Sequence, residues 1–365
     1  MKYLFVIQGE GRGHLTQAMT LAKMMRKHGH EVCAVLVGKS NRRELPAFFL
    51  REMPAPIHRF DSPNFPPPTG TDRAKMWATI RYNLARIPRY IKGIGVIRKK
   101  IKELQPDVVV NFYDMLVGLI YAVCPPKPPY ICVAHQYAFL HPDYPFPPEN
   151  AAELRSLKLV TRITSLRAAK LFVLSIRNVA AEEGARPNKS ADRFVFVPPL
   201  LREEVFEATP TDGDYMNGYL LNANYADAII AWQKQHPDVS LHFFWDKKEA
   251  EKETVINSRL SFHQLDDKLF LDYLAGCKGY ATTAGFESVC EAAYFGKPVL
   301  MVPTHIEQAC NAYEFAQAGF GIAANAFDLD ALLALTSRYR ANPQFRVWVE
   351  QSEARWMAAL GSVLS

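Results

Sequence analysis

The sequence has no uninterrupted apolar run of about 18 residues, so no membrane-spanning helix is expected. Its first apolar stretch, Met1 to Ile7, is cut short by Gln8-Gly9-Glu10 and is too brief for a signal-peptide core. With both signals missing, the expected location is the cytoplasm. The six cysteines (Cys33, Cys124, Cys132, Cys277, Cys290 and Cys310) form no CxxC pair. None stands at zinc-finger spacing from a second cysteine and a histidine, so neither a zinc site nor a disulfide framework is expected. They read as small buried hydrophobes in a reducing compartment. The formal net charge of +6 is too mild to argue for nucleic-acid binding, and none is expected. Internal repeats and long low-complexity tracts are also missing.

What is present fits a folded α/β protein. A length of 365 residues suggests two domains, and 49% hydrophobic against 22% charged residues is an ordinary globular balance. Leu4 to Ile7 reads as a buried strand, Leu15 to His28 as an amphipathic helix stopped by Gly29, and Glu31 to Val37 as a second strand. That β-loop-α-β order implies a parallel, doubly wound sheet. The Pro-rich stretch Ala47 to Thr71 reads as irregular loop. Arg73 to Leu104 reads as a long basic helical region with interleaved Trp77, Tyr82 and Tyr90, kinked or split at Pro88. Further strands are expected at Val108–Asn111, Tyr130–Ala134, Leu171–Leu174 and Phe194–Val197.

After Pro198-Pro199 the same grammar restarts. Strands are expected at Gly218–Asn222, Leu241–Trp245, Gly279–Thr282 and Pro298–Val302. Helices are expected over Ala226–His236, Asp267–Cys277 and from Ala284-Gly285 to about Phe295. The resulting division is residues 1–199, residues 200–345, and a terminal helix within 346–365. Two such halves place ligands at the carboxyl ends of the strands.

Two stretches carry chemistry. In Gln8-Gly9-Glu10-Gly11-Arg12-Gly13-His14 a glycine-rich strand-to-helix turn lets backbone approach a ligand and aims N–H groups at negative charge. The spacing is GxGxG rather than GxGxxG. The second strand ends in Val37-Gly38-Lys39, where a nicotinamide site wants an acidic residue. Gly38-Lys39-Ser40 lacks the first P-loop glycine, because Cys33 stands there. His14 lies where loop meets helix and suits a general base toward an acceptor hydroxyl. The second stretch is Thr282-Thr283-Ala284-Gly285-Phe286-Glu287-Ser288-Val289-Cys290-Glu291, followed by Gly296-Lys297-Pro298 and by Pro303-Thr304-His305-Ile306-Glu307-Gln308.

With its small-residue turn, helix glutamate, G-x-P and P-x-x-x-E-Q, the second stretch resembles the MurG-like and UDP-glucuronosyltransferase-like group of GT-B glycosyltransferases. The N-terminal GxGxGH loop and Asn311 agree with it. The resemblance implies two Rossmann-like doubly wound domains facing across a cleft, with an acceptor domain first and a nucleotide-sugar domain second. It implies transfer of a sugar from a nucleotide diphosphate-sugar, a UDP-sugar by likeness, to a hydroxyl of an acceptor it does not identify. Lipid and envelope glycan acceptors occur in the group. Donor-binding residues would be Gly11, Gly13, Thr283, Ala284, Gly285, Phe286 and Ser288 around the diphosphate, Glu291 on the ribose, and Glu307 and Gln308 on the sugar. Phe262 either packs on the base or fills core, and the same two readings hold for His263.

Thr283 occupies the position where retaining relatives carry a glutamate, which implies the inverting class, with His14 as base and Asp114 as its partner. The helix N-terminus would receive the leaving diphosphate without a metal or other cofactor. Asp212-x-Asp214 mimics a metal-binding DxD but reads as a turn. The basic, aromatic region 73–102 suggests peripheral contact with an anionic membrane surface. Rival readings are a non-hydrolysing UDP-sugar 2-epimerase, which would need several acid/base carboxylates, and an inactive nucleotide-sugar-binding protein.

Overall fold

The structure, a computed structural model, describes residues 1–39, 44–64, 81–148, 151–179, 193–221, 223–247 and 249–363. The chain divides into two compact units. The first contains Met1–Tyr144, Asn150–Leu200 and Glu350–Ser365, and the second Pro145–Glu149 and Leu201–Val349.

The sheet of the first unit contains β1 (Lys2–Ile7), β2 (Glu31–Lys39), β3 (Ile57–Asp61), β4 (Val108–Phe112), β5 (Tyr130–Val133), β6 (Lys170–Leu174) and β7 (Phe194–Val197). Their spatial order is β3-β2-β1-β4-β5-β6-β7, and every neighbouring pair is parallel. The residues explain why. Leu4 to Ile7 and all of β4 and β5 are buried, the apolar runs that a strand covered on both faces requires. The connecting helices are α1 (Arg12–Lys27), α2 (Ala47–Glu52), α3 (Ile87–Leu104), α4 (Met115–Val123) and α5 (Ala151–Thr164). Helix α1 buries Leu15, Ala18, Met19, Ala22 and Met25, the stripe its 3.6-residue spacing predicts. Gly29, at φ +77°, ends it. Strand order reverses between β1 and β4, so the loops after these two strands flank the switch point.

The second unit repeats the plan with β8 (Tyr215–Leu220), β9 (Ser240–Trp245), β10 (Glu253–Asn257), β11 (Leu260–Gln264), β12 (Gly279–Thr282), β13 (Val299–Met301) and β14 (Gly321–Ala323). The order is β10-β11-β9-β8-β12-β13-β14, with only the β10–β11 hairpin antiparallel. Its helices are α6 (Glu203–Glu207), α7 (Ala226–Gln235), α8 (Asp267–Gly276), α9 (Phe286–Tyr294), α10 (Ile306–Gln317), α11 (Leu329–Thr336) and α12 (Pro343–Glu350). Here the order reverses between β8 and β12. The core gathers Met216, Leu241, Phe243, Trp245, Phe262, Leu300 and Leu332.

Several sequence expectations need correction. The stretch Ala47 to Thr71 is not wholly irregular. It forms α2 and the edge strand β3, which pairs with β2 from Val35↔Ile57 to Lys39↔Asp61. Its described prolines, Pro54, Pro56 and Pro63, lie outside those elements, and an edge strand tolerates such neighbours. Residues 65–71 lie outside the described residues, as do residues 73–80 of the basic region. Within the described part that region is split. A helical turn at 81–84 ends before α3, which begins with Pro88 in its first turn, where a missing N–H costs no hydrogen bond. Strand β8 runs earlier than Gly218–Asn222, and Asn222 itself is outside the described residues. The single terminal helix is two, α12 and α13 (Ser352–Gly361), with a break at Gln351. In α13 Trp356 is fully buried, stacks on Phe172 at 5.5 Å and donates its indole N–H to the Pro198 carbonyl at 3.1 Å.

Candidate functional site

In the first unit the glycine loop grows out of β1. A Cβ on Gly9 would lie 1.8 Å from the Gly38 carbonyl oxygen, so glycine is required where loop and β2 touch. The Gln8 side chain braces the turn. Its Oε1 accepts from the N–H groups of Glu10 at 3.0 Å and Gly11 at 3.4 Å. Gly11 is the N-cap of α1 with no side-chain cap, and Gly13 lies in the first helical turn. His14, 8% exposed, follows in that turn. Its Nδ1 faces Gln17 Oε1 at 3.3 Å, one turn on along the same helix. The imidazole stacks on Tyr113 at 5.7 Å and 25°.

Tyr113 takes a left-handed φ of +64°, uncommon for a bulky side chain, and its hydroxyl meets Thr161 Oγ1 at 2.6 Å. Asp114 comes next and is fully buried. Its Oδ1 accepts from Leu116 N–H at 2.9 Å and caps α4. Its Oδ2 accepts from Ser62 Oγ at 2.5 Å, and its own N–H donates to Asn111 Oδ1 at 2.8 Å. Burial pushes this carboxyl up to about 6, against the bonds from Ser62 and the α4 N–H groups. The expected His14–Asp114 pair is therefore not formed. The topology brings His14 beside Tyr113, while Asp114 turns into the helix cap and His14 takes Gln17 instead.

In the second unit the switch-point turn follows β12. Thr282 and Thr283 are buried, and Ala284 adopts a left-handed φ of +62°. That conformation disfavours side chains, so the tight turn is held against strain. Gly285 is the N-cap of α9 and provides no side-chain cap, leaving the first N–H groups of the helix to other acceptors. The Ser288 hydroxyl donates to the Gly285 carbonyl at 3.4 Å. From α10, Gln308 takes the Thr304 N–H and Oγ on its Oε1 at 2.9 and 2.8 Å. Its Nε2 donates to Thr283 Oγ1 at 3.5 Å, and Asn311 Nδ2 donates to the Ala284 carbonyl at 3.3 Å. Glu307 opens the same helix. Thr282 Oγ1 and Asn311 Oδ1 are buried with no hydrogen-bond partner among the described residues.

Glu291 lies on α9, 4% exposed, in a bidentate ion pair. Arg202 Nε reaches Oε1 at 2.7 Å and Nη2 reaches Oε2 at 3.0 Å, while Nη1 donates to the Asp267 carbonyl at 3.0 Å. The helix ends in a Gly296 C′ at φ +73°, with Lys297 N–H donating to the Ala292 carbonyl at 2.8 Å, which explains the G-x-P spacing.

Other expected residues sit elsewhere. Phe262 is fully buried against Trp245 at 4.5 Å, so it fills core and presents no face to a base. His263 is buried in a cluster with Ser261 Oγ at 3.0 Å and His242 at 3.3 Å, both imidazoles lowered by burial. The ring of Phe286 packs on Phe315 at 5.6 Å, leaving its backbone as what it offers a ligand. Asp212 and Asp214 each face a lysine, Lys297 at 3.5 Å and Lys278 at 2.6 Å. Gln17, Tyr113, Ser62 and Arg202 were not singled out from sequence. Gln17 stands at helical i+3 spacing from His14 and was findable. Arg202 lies 89 positions from Glu291, and no local pattern links them.

The family profile described as "Glycosyl transferase family 1" matches residues 1–337. The chain belongs to this family. No curated protein matches it in sequence. Among solved structures, the glycotransferase of kitacinnamycin is 16% identical with a TM-score of 0.62, over 98% of this chain and 95% of that one. Phytolacca americana UGT2, complexed with UDP-2fluoro-glucose and pterostilbene, is 12% identical with a TM-score of 0.64, over 100% of both chains. The spinosyn rhamnosyltransferase SpnG, complexed with thymidine diphosphate, is 15% identical with a TM-score of 0.58, over 100% of both chains. Identities this low speak for the fold, which is GT-B. Among the described residues of this family 1 chain, no helix is long and apolar enough to cross a membrane.

Proposed function

We propose that this family 1 glycosyltransferase is an inverting enzyme that moves a sugar from a nucleoside diphosphate-sugar, UDP or TDP, to an acceptor hydroxyl. The observation that carries the reading is the uncapped N-terminus of α9 after the strained Thr282–Gly285 turn. Backbone N–H groups and the positive helix end there suit a diphosphate, and they stabilise its charge as it leaves. Structures of similar fold hold UDP-2fluoro-glucose and thymidine diphosphate. Glu291, fixed by the Arg202 guanidinium, offers one remaining lone-pair direction on each oxygen to adjacent ribose hydroxyls. Glu307 and the Thr283-bonded Gln308 take the sugar hydroxyls.

In the first unit His14 acts as base. Gln17 Oε1 accepts the Nδ1 proton, which leaves Nε2 unprotonated to take the acceptor proton as the oxygen attacks the anomeric carbon. The bond from that carbon to the diphosphate breaks in the same step, inverting the centre. The resemblance to MurG-like members extends the reading to envelope or lipid acceptors at the cytoplasmic face of a membrane.

The test is a thermal-shift series with UDP, TDP, GDP, ADP, NAD and NADP. A nucleotide held at about 100 times its dissociation constant adds roughly 2.7 kcal/mol of stability. Gly285→Asp is the informative variant. The position has an extended φ of −65°, and its new Cβ would meet only Ser288 Oγ at 3.7 Å. An aspartate there caps the helix and repels a diphosphate. The folded variant should lose the UDP or TDP shift. A shift with NAD alone, or one that persists in Gly285→Asp, rejects the reading.

A further inference from the structure

A small open cavity of about 20 Å³ lies in the first unit, where β2 and β3 end against the start of α3. Among the described residues that line it, three are cations, Lys39, Arg86 and Arg89, and one is a carboxylate, Asp61. Lys39 Nζ stands 3.5 Å from Asp61 Oδ2, so that pairing is loose. The Arg86 guanidinium is fixed in place. It lies 3.5 Å over the Tyr82 ring, and its Nη1 donates to the Tyr82 carbonyl at 3.0 Å. Its Nε is buried and has no hydrogen-bond partner among the described residues. A desolvated guanidinium N–H without an acceptor is costly, and an anion relieves that cost. The first turn of α3 carries no acidic residue to compete.

The wall of the cavity is tied to the glycine loop. Asn64 accepts from Gln8 Nε2 at 3.3 Å, and Gln8 is the residue that braces the loop. Ser62 donates to Asp114, the neighbour of the tyrosine stacked on His14. The charge then selects the ligand. The described lining has two positive charges in excess, which a dianionic phosphate balances and a carboxylate does not.

We propose that this cavity binds a phosphate group of the acceptor, making the acceptor a phosphorylated molecule. The word acceptor rests on the transferase reading. The anion site itself stands on Lys39, Arg86 and Arg89.

The experiment uses the full chain and two probes at fixed ionic strength. Titration calorimetry follows glycerol 3-phosphate, with inorganic phosphate as reference, and sedimentation follows phosphatidylcholine vesicles with and without phosphatidate. The variant is Lys39→Gln/Arg89→Gln, both side chains exposed and outside the packing of α3, so the fold survives. The expected result is saturable phosphomonoester binding in the wild type, weakened about tenfold or more in the variant. If glycerol 3-phosphate binds and vesicles do not sediment the protein, the acceptor is soluble. If only phosphatidate vesicles do, and the variant loses it, the group is a lipid headgroup. Failure of both probes, or equal binding by the variant, overturns the inference. UDP and TDP shifts are recorded alongside. Nucleotide stabilisation without phosphate binding sinks the anion site alone, and the reverse sinks the transferase reading alone.

Discussion

The pair Arg202–Glu291 gives the sharpest quantitative test, because both side chains are withdrawn from water, 14% and 6% exposed. A surface pair of the same geometry contributes about 0–1 kcal/mol. A buried pair behaves differently, since removing one partner strands the other charge in the interior at a cost of about 3–5 kcal/mol. Glu291→Leu should therefore destabilise the second unit by that amount. For a domain of this size it lowers the unfolding midpoint by about 6–20 °C. Arg202→Met should cost a similar amount, because it also leaves the Asp267 carbonyl without its donor. Arg202→Met/Glu291→Leu removes both charges and should recover most of the loss, giving a coupling energy of about 2 kcal/mol or more. The assay is thermal unfolding of the four proteins by circular dichroism. Additive single effects, or a loss below about 1 kcal/mol for Glu291→Leu, would refute the account. The outcome also bears on function. A Glu291 variant that loses nucleotide binding cannot be interpreted until its stability is known, whereas the folded double variant isolates the ribose contact.

The other predictions concern the first unit. Asp114→Asn keeps the cap, so turnover should stay within about tenfold of wild type, while Asp114→Ala should cost roughly 1 kcal/mol of stability. A loss of turnover in the asparagine variant comparable with His14→Ala, about 10²–10⁴-fold, would make Asp114 the partner of His14 after all. The same residue sets a pH signature. Its carboxyl ionises near 6 when folded and lower when unfolded, so the folded state holds more protons from about pH 4 to 6. Stability of the wild type relative to Asp114→Asn should then fall as pH rises through that window, by about 3 kcal/mol at most, and level off above it. Urea titrations at several pH values that show a flat difference would refute this. Gln17→Leu should allow both imidazole tautomers of His14, and Gln17→Glu should raise its pKa. Nitrogen NMR of the imidazole reads both, and an unchanged tautomer ratio would remove Gln17 from its positioning role. Gly9→Ala must push the glycine loop away from β2 and should cost about 1–3 kcal/mol, read by the same thermal assay.

The alternation of apolar runs with amphipathic stripes was enough to read two doubly wound halves, because a strand covered on both faces can only be written as a continuous apolar segment. The two glycine-bearing turns were equally legible, since a tight turn beside a strand end restricts which residues fit. Gly9 against Gly38 and the turn at Ala284 are such places. The sequence by itself therefore determined the fold class and where the chain makes its two glycine-bearing turns. It did not determine β3, β10 and β14, edge strands that leave only weak patterns, or β11, which lies between β10 and β9. Nor did it decide which polar side chains meet. Asp114 looked like a histidine partner but caps α4, Phe262 went into the core, and Glu291 found Arg202 89 positions away. Such pairings are decided by distances in space, because most buried polar groups take whichever partner the packed fold brings within about 3 Å.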